Sequence, residues 1–316
     1  MTLEKHGKNR RKWQYSVRIL IGIFIVLCIG CESKYKDLNL EIYQYRDTKN
    51  LVKFVYDAAL ILEKEGIKSL DYFDKNRDLY NKPDHYLYIY DMNGINIYHA
   101  GMKELQGQNL IDVVDKDGKK VTREVLAALE DEDNPHAWIH YTWWESEKFY
   151  LVPKSSCHFK VTTPEGKTFL VGSGLNYPHE EKEFIRIVVD NAVELIETTG
   201  IEALAQISSP VTQYNYRDVR VFVFRPDGEI LISPVITEIP AQLQLLNCVD
   251  EVGYKPFVHA IERLASEESV WEIFMAKNRY QRTLVKKCMY IRKAKLNDEI
   301  LLVGAITNLP QPAWAG

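Results

Sequence analysis

The residues with most chemistry to offer stand close together. Trp138, Tyr141, Trp143 and Trp144 fall in one strand-like run, and Lys154 follows beside Pro153. Alternate residues of a strand share a face, so Tyr141 and Trp143 lie on one side and Trp144 on the other. Aromatic walls with polar tips suit a small organic ligand. An ammonium in a half-apolar cleft pairs with a small anion, and the pairing strengthens as water is excluded. His99 closes an earlier apolar run; its neutral ring can donate to or accept from a ligand oxygen, and its charge responds near neutral pH. Tyr88 and Tyr90, two apart, are further candidates, although core packing competes for one of them, as it does for Trp138 and Trp271.

That chemistry is binding. No GxSxG elbow, HExxH pair or phosphate-cradling glycine loop occurs, so no hydrolase or transferase is expected. Asp115-Lys-Asp117-Gly118 invites a calcium loop but lacks a glutamate at the twelfth position and reads as a solvated turn. Cys157, Cys248 and Cys288 have no metal spacing and read as buried thiols. No metal or cofactor is expected.

These residues must be positioned by ordinary globular elements. The chain has 316 residues, 46% hydrophobic and 27% charged, which excludes wholesale disorder, collagen and a polytopic membrane protein. At roughly 150 residues per domain it holds two domains. The net charge of -4 hides an asymmetry: residues 1–30 carry Lys5, Lys8, Arg10, Arg11, Lys12 and Arg18 against the single acid Glu4. The remainder is strongly acidic and repels phosphate backbones, so nucleic acid is not an expected partner.

The two domains are one unit written twice. Residues 50–70, NLVKFVYDAALILEKEGIKSL, align without a gap at an offset of 134 with residues 184–204, FIRIVVDNAVELIETTGIEAL. Six of the 21 positions are identical. Apolar residues recur at helical spacing in both, and Gly66 and Gly200 are the expected C-caps. YIYDMNGINIY (88–98) then matches FVFRPDGEILI (222–232), two hairpins whose Asn93-Gly94 and Asp227-Gly228 turns predict φ > 0 at both central residues. Further matches are Asp115 with Asp250, Gly118 with Gly253, Trp138 with Trp271, Lys154 with Lys287, and Leu170-Val171-Gly172 with Leu302-Val303-Gly304. A second helix is expected over 121–132 and 256–268, then a three-strand meander in each unit. Helices segregated from antiparallel strands predict an α+β fold with helices on one face of each sheet.

The first thirty residues read as an address. The uncharged run 19–30, ILIGIFIVLCIG, would span only about 18 Å as a helix, which favours cleavage over retention. Leu27-Cys28-Ile29-Gly30-Cys31 resembles the lipobox of bacterial lipoproteins, which implies a signal peptide over 1–30 and lipid attachment at Cys31; an uncleaved signal anchor is the alternative. Either places the body outside the cytoplasm, facing the periplasm or the cell exterior. Residues 31–46 then form a tether, 47–178 a first module and 179–312 a second.

The order Tyr88-Ile-Tyr-Asp91-Met-Asn-Gly94, His99, Leu105-Gln-Gly107-Gln-Asn109-Leu110, Asp115-Lys-Asp-Gly118, Trp138-Ile-His-Tyr141, Trp143-Trp144, Pro153-Lys154 and Leu170-Val-Gly-Ser-Gly174 resembles the Cache module, an extracytoplasmic PAS-like sensor domain of the single-Cache type. The resemblance implies tandem modules, each with a long N-terminal helix on a five- to six-stranded antiparallel sheet. It also implies a pocket between sheet and loops for a small carboxylate, amino acid, amine or purine. It assigns Lys154 to a ligand carboxylate and His99 to the pocket wall. A tyrosine usual three residues after the lysine is kept as Tyr290 after Lys287, whereas Cys157 stands there in the first unit. Ser233, Phe274 and Ala276 replace His99, Tyr141 and Trp143 in the second. With no output domain before Gly316, the expectation is a ligand-binding lipoprotein acting through a sensor kinase, chemoreceptor or transporter. The alternative is an envelope interaction module with vestigial pockets.

Overall fold

The computed structural model describes residues 38–130, 136–145, 148–209, 213–217, 219–234, 245–277 and 283–309. The lipobox and Cys31 lie outside them. The chain divides into two units, 1–42 and 43–316. The described part of the first holds a 3-10 turn, Leu40–Ile42. No helix among the described residues is long and apolar enough to cross a membrane.

The second unit runs α1 (Arg46–Glu65), α2 (Ser69–Lys75), α3 (Arg77–Tyr80), β1 (Tyr88–Asp91), β2 (Asn96–His99), α4 (Val121–Ala128), β3 (Ala137–Glu145), β4 (Lys148–Thr162) and β5 (Thr168–Asn176). It then repeats with α5 (Lys182–Thr199), α6 (Ala203–Ser208), β6 (Asn215–Tyr216), β7 (Val219–Arg220), β8 (Phe222–Phe224), β9 (Ile230–Ile232), α7 (Pro256–Leu264), β10 (Ser269–Lys277), β11 (Leu284–Leu296) and β12 (Glu299–Asn308). The fold is α+β, with two five-stranded antiparallel sheets ordered β2-β1-β5-β4-β3 and β10-β11-β12-β8-β9. The second helices end at Ala128 and Leu264, a turn earlier than their apolar spacing suggests.

The registers show how closely the two halves follow one plan. Tyr88 pairs with Gly172 as Phe222 pairs with Gly304. Trp138 pairs with Cys157 as Trp271 pairs with Tyr290, and Tyr141 with Lys154 as Phe274 with Lys287. The long helices bury matching stripes: Leu51, Val55, Ala58 and Leu62 in α1; Ile185, Val189, Ala192 and Ile196 in α5. Each stops at a glycine with positive φ, +65° at Gly66 and +76° at Gly200. At Gly66 the positive φ is what requires glycine, since the nearest atoms to an added Cβ belong to the movable Glu165 carboxylate.

The hairpin turns differ from the expected form. Only Gly94 (φ +81°) and Gly228 (φ +92°) have positive φ; Asn93 and Asp227 do not. The N–H groups of Asn93 and Ile95 donate to Asp91 Oδ1 at 2.9 and 2.8 Å, and Asp91 N–H donates to Ile95 O. An aspartate that captures these amides selects a longer loop ending in a left-handed glycine, and the register shifts by a residue just before it. Asp227 does the same for Glu229.

Asp115, expected in a solvated turn, is a buried pin. Asp115 Oδ1 accepts the N–H groups of Asp117 and Lys119, while Oδ2 accepts that of Thr142 on β3 at 3.1 Å. Asp250 holds Val252, Tyr254 and Met275 on β10 in the same way. Each carboxylate ties a loop to its sheet. Among the described residues no cluster could hold a metal ion. Cys157 and Cys288 are buried and Cys248 half-buried, all free thiols.

The two halves meet at their helix starts. Glu181, just before α5, is fully buried and accepts the N–H groups of Gln44 and Tyr45 at 2.6 and 3.0 Å, at the head of α1. Lys182 N–H donates in return to Gln44 Oε1 at 3.3 Å. Negative charge at a helix N-terminus is favourable, and burial strengthens the bond.

Candidate functional site

Strand alternation sorts the first sheet into two faces. Cys157, Phe159, Val171 and Trp138 face the long helices; Phe159 meets Tyr56 of α1 at 5.4 Å and Trp138 meets Phe184 of α5 at 4.6 Å. Helices are not confined to that face of each sheet as expected, because the apolar sides of α4 and α7 are buried on the other one. The opposite face carries Tyr88, Tyr90, Tyr141, Trp143, His158 and Leu170, and these line a cavity of about 50 Å³. Over it lie Leu105, Leu110 and Val113 from the connecting loop, and Val121, Thr122 and Val125 from α4. One water needs about 10–15 Å³ by this measure, so the space fits a few waters or a very small organic molecule.

The cavity floor is a hydroxyl network. Tyr88 OH bonds His158 Nε2 at 2.8 Å, and Tyr141 OH bonds Ser156 Oγ at 2.7 Å. Room for the first pair comes from Gly172, where a Cβ would stand 2.4 Å from His158 Cδ2 and 2.5 Å from Tyr88 Cε2. Burial raises both tyrosine pKa values far above the ordinary range, so both remain neutral. His158 is pushed down to about 3 by burial.

His99 lines the cavity from the end of β2. Its Nδ1 accepts the Met102 N–H at 2.8 Å, which leaves Nε2 to carry the proton of the neutral ring as a donor. Burial first, and the nearby Lys154 and Arg77 charges second, lower its pKa to about 3.

Lys154 is 1% exposed. Its chain runs past Gly174, where a Cβ would stand 2.9 Å from Cε, so that glycine too is a space requirement. Nζ lies 4.1 Å from the centroid of the Tyr86 ring. Burial alone brings its pKa down to about 7; among the described residues no carboxylate pulls it back. Lys154 does not itself line the cavity. Tyr86 does, and with His158 and Ser156 it is a site residue that sequence reasoning missed. Tyr86 precedes the first strand, outside any periodic pattern, and His158 sits beside a core cysteine.

Among the described residues the matching face of the second sheet is filled. Phe222, Phe224, Phe274, Met289, Ile291 and Leu302, at the places of Tyr88, Tyr90, Tyr141, Ser156, His158 and Leu170, close on Phe257 and Leu264 of α7 as a buried core. Lys287 shares that face, half-buried and paired with Phe274. Tyr290 does not join it: its ring packs on Trp271 at 4.7 Å and its hydroxyl reaches Asp190 of α5 at 3.4 Å. Three residues along a strand reverse the face, so the tyrosine expected beside a ligand belongs with the helix, as Cys157 does in the first half. Trp144 is exposed, opposite in face to Tyr141 and Trp143 as alternation predicts.

Two helix-covered antiparallel sheets, one enclosing a small cavity, are the homologous fold of a sensor or ligand-binding domain. The family model described as Cache domain matches residues 42–295, and the chain belongs to that family, whose members are extracytoplasmic sensors of small ligands. A methyl-accepting chemotaxis protein from Vibrio parahaemolyticus is 20% identical over 41% of this chain and 88% of its own, with a TM-score of 0.34. A Cache chemosensory domain solved for carboxylic acid recognition is 19% identical over 43% and 100%, TM-score 0.33. The periplasmic sensory domain of the Campylobacter jejuni chemoreceptor Tlp1 is 12% identical over 87% and 91%, TM-score 0.30. Comparison with curated proteins gives no match.

Proposed function

We propose that this protein is an extracytoplasmic binding lipoprotein for a short carboxylate. It is anchored through Cys31 and acts through a separate membrane partner such as a sensor kinase, chemoreceptor or transporter. The tandem modules are the two sheet units, 47–178 and 179–312. The carrying observation is Lys154, a buried amine with no carboxylate partner among the described residues, beside a cavity whose polar groups are neutral donors. A carboxylate ligand supplies the missing charge and accepts from His99 and the tyrosine hydroxyls. The cavity volume favours two to three carbons, and its lining includes no acidic residue to receive the ammonium of an amino acid. Tyr88, Tyr90, His99, Tyr141, Trp143 and Lys154 form the site; Lys287 and Tyr290 do not take part.

Thermal and calorimetric titration of the purified chain with acetate, propionate, amino acids and purines tests the reading. A carboxylate at 100 times its Kd adds about 2.7 kcal/mol of stability, and Lys154→Ala abolishes the gain. Folded protein that no carboxylate stabilises would overturn it. Vestigial pockets fit the second half, where aromatic and aliphatic groups fill the ligand face. For that half the alternative role, a protein-interaction module, is the favoured one, and membrane crosslinking tests it.

A further inference from the structure

The cavity and the Lys154 ammonium are neighbours that do not touch. Among the described residues, Tyr86 is the side chain that both lines the cavity and covers Lys154 Nζ. Its ring supplies the electron-rich face that a buried cation otherwise lacks here. It also packs between Gly101, where a Cβ would stand 3.2 Å from Cγ, and the His99 ring at 4.8 Å. Its hydroxyl carries no charge, since burial holds its pKa up at about 12. The backbone around it is tied, with Lys82 N–H donating to His85 O, Leu87 N–H to Tyr80 O and Ala100 N–H to Leu87 O. Displacing the ring is therefore a side-chain rotation and not a movement of the sheet.

We infer that Tyr86 is a displaceable gate: its ring stands in for a counter-anion at Lys154, and an anion in the cavity reaches the ammonium by displacing that ring. The inference rests on the carboxylate reading above for its ligand, but not for its geometry. It makes Tyr86 the residue that sets selectivity. A neutral molecule of the same size can fill the cavity but offers Lys154 nothing in exchange for the ring, so the gate stays shut. An anion repays the loss with a charge pair.

Two measurements separate the gate from the ligand. The first needs no ligand: brief reductive methylation of the full chain at pH 7, with Lys154 read by peptide mass spectrometry against exposed Lys64. Lys154 in the wild type and in Tyr86→Phe, which keeps the ring, should label slowly; in Tyr86→Leu it should label at least tenfold faster. Equal rates in all three would overturn the gate even if acetate binds. The second uses the wild type, so it does not depend on how Tyr86→Leu folds. With ring-labelled tyrosine and Tyr86→Phe for assignment, saturating acetate should move the Tyr86 resonance more than that of Tyr80. Bound acetate with Tyr86 unmoved would overturn the gate and leave the binding reading standing. Fast labelling only in Tyr86→Leu, with no acetate bound by any form, would overturn the carboxylate reading and leave the gate standing.

Discussion

A lysine with its pKa near 7 and, among the described residues, no acidic neighbour ties ligand affinity to pH. An anion favours the charged amine, so carboxylate affinity is greatest below about pH 7. Above it, affinity should fall by roughly tenfold per pH unit, because a proton must be taken up on binding. Calorimetry at pH 6, 7 and 8 in buffers of different ionisation enthalpy measures both the slope and the proton. Three buried histidines set a second pH dependence. His99 and His158 are lowered to about 3 and His136 to about 4, each chiefly by burial. Their folded pKa values lie below that of the unfolded chain, so between about pH 6.5 and 4 the unfolded state binds more protons. Stability is therefore complete above pH 6.5 and falls as pH drops, on the order of 1.4 kcal/mol per histidine per unit. Urea midpoints at pH 7 and 5 check this. Tyr141, Trp143 and Lys154 could be picked out in the sequence because alternation and residue type agree there. Tyr86 could not, since its role comes from a loop folding back on a distant strand. Tyr290 lies an odd number of residues from Lys287, and strand parity turns it to the helix side, onto Trp271.

The elements show what glycine does in a sheet. Gly172 and Gly174 lie on the ligand face of β5, and the side chains crossing them are Tyr88, His158 and Lys154. Gly172→Ala should cost about 1–3 kcal/mol by overpacking and should weaken carboxylate binding by separating Tyr88 from His158. Denaturant unfolding and titration of that variant measure the two effects. Glycine in the motif LVGSG was visible in the sequence, but the reason for it needed the partner strands. Helix identity and caps were legible because apolar spacing and a terminal glycine coincide at Gly66 and Gly200. The hairpin turns were not, because Asp91 and Asp227 compete for the amides that a two-residue turn would use.

At the scale of the whole molecule, the repeat predicted two similar sheets, and matching registers are what the structure has. It did not predict that one ligand face would be solid. The same backbone positions carry Tyr88, Ser156 and His158 in one half and Phe222, Met289 and Ile291 in the other, and hydroxyl and imidazole have given way to packed rings and methyls. One carboxylate should therefore bind per chain, and Lys287→Ala should leave its affinity within twofold of the wild type. Two sites by calorimetric stoichiometry would contradict this. Glu181 gives the pair of halves a mechanical property. A single dry carboxylate heads one long helix while gripping the two amides just before the other, like a pivot shared by two levers. Twisting either helix about its start would strip hydrogen bonds from that charge where no water can replace them. A turn of either long helix about its start therefore pulls on the other.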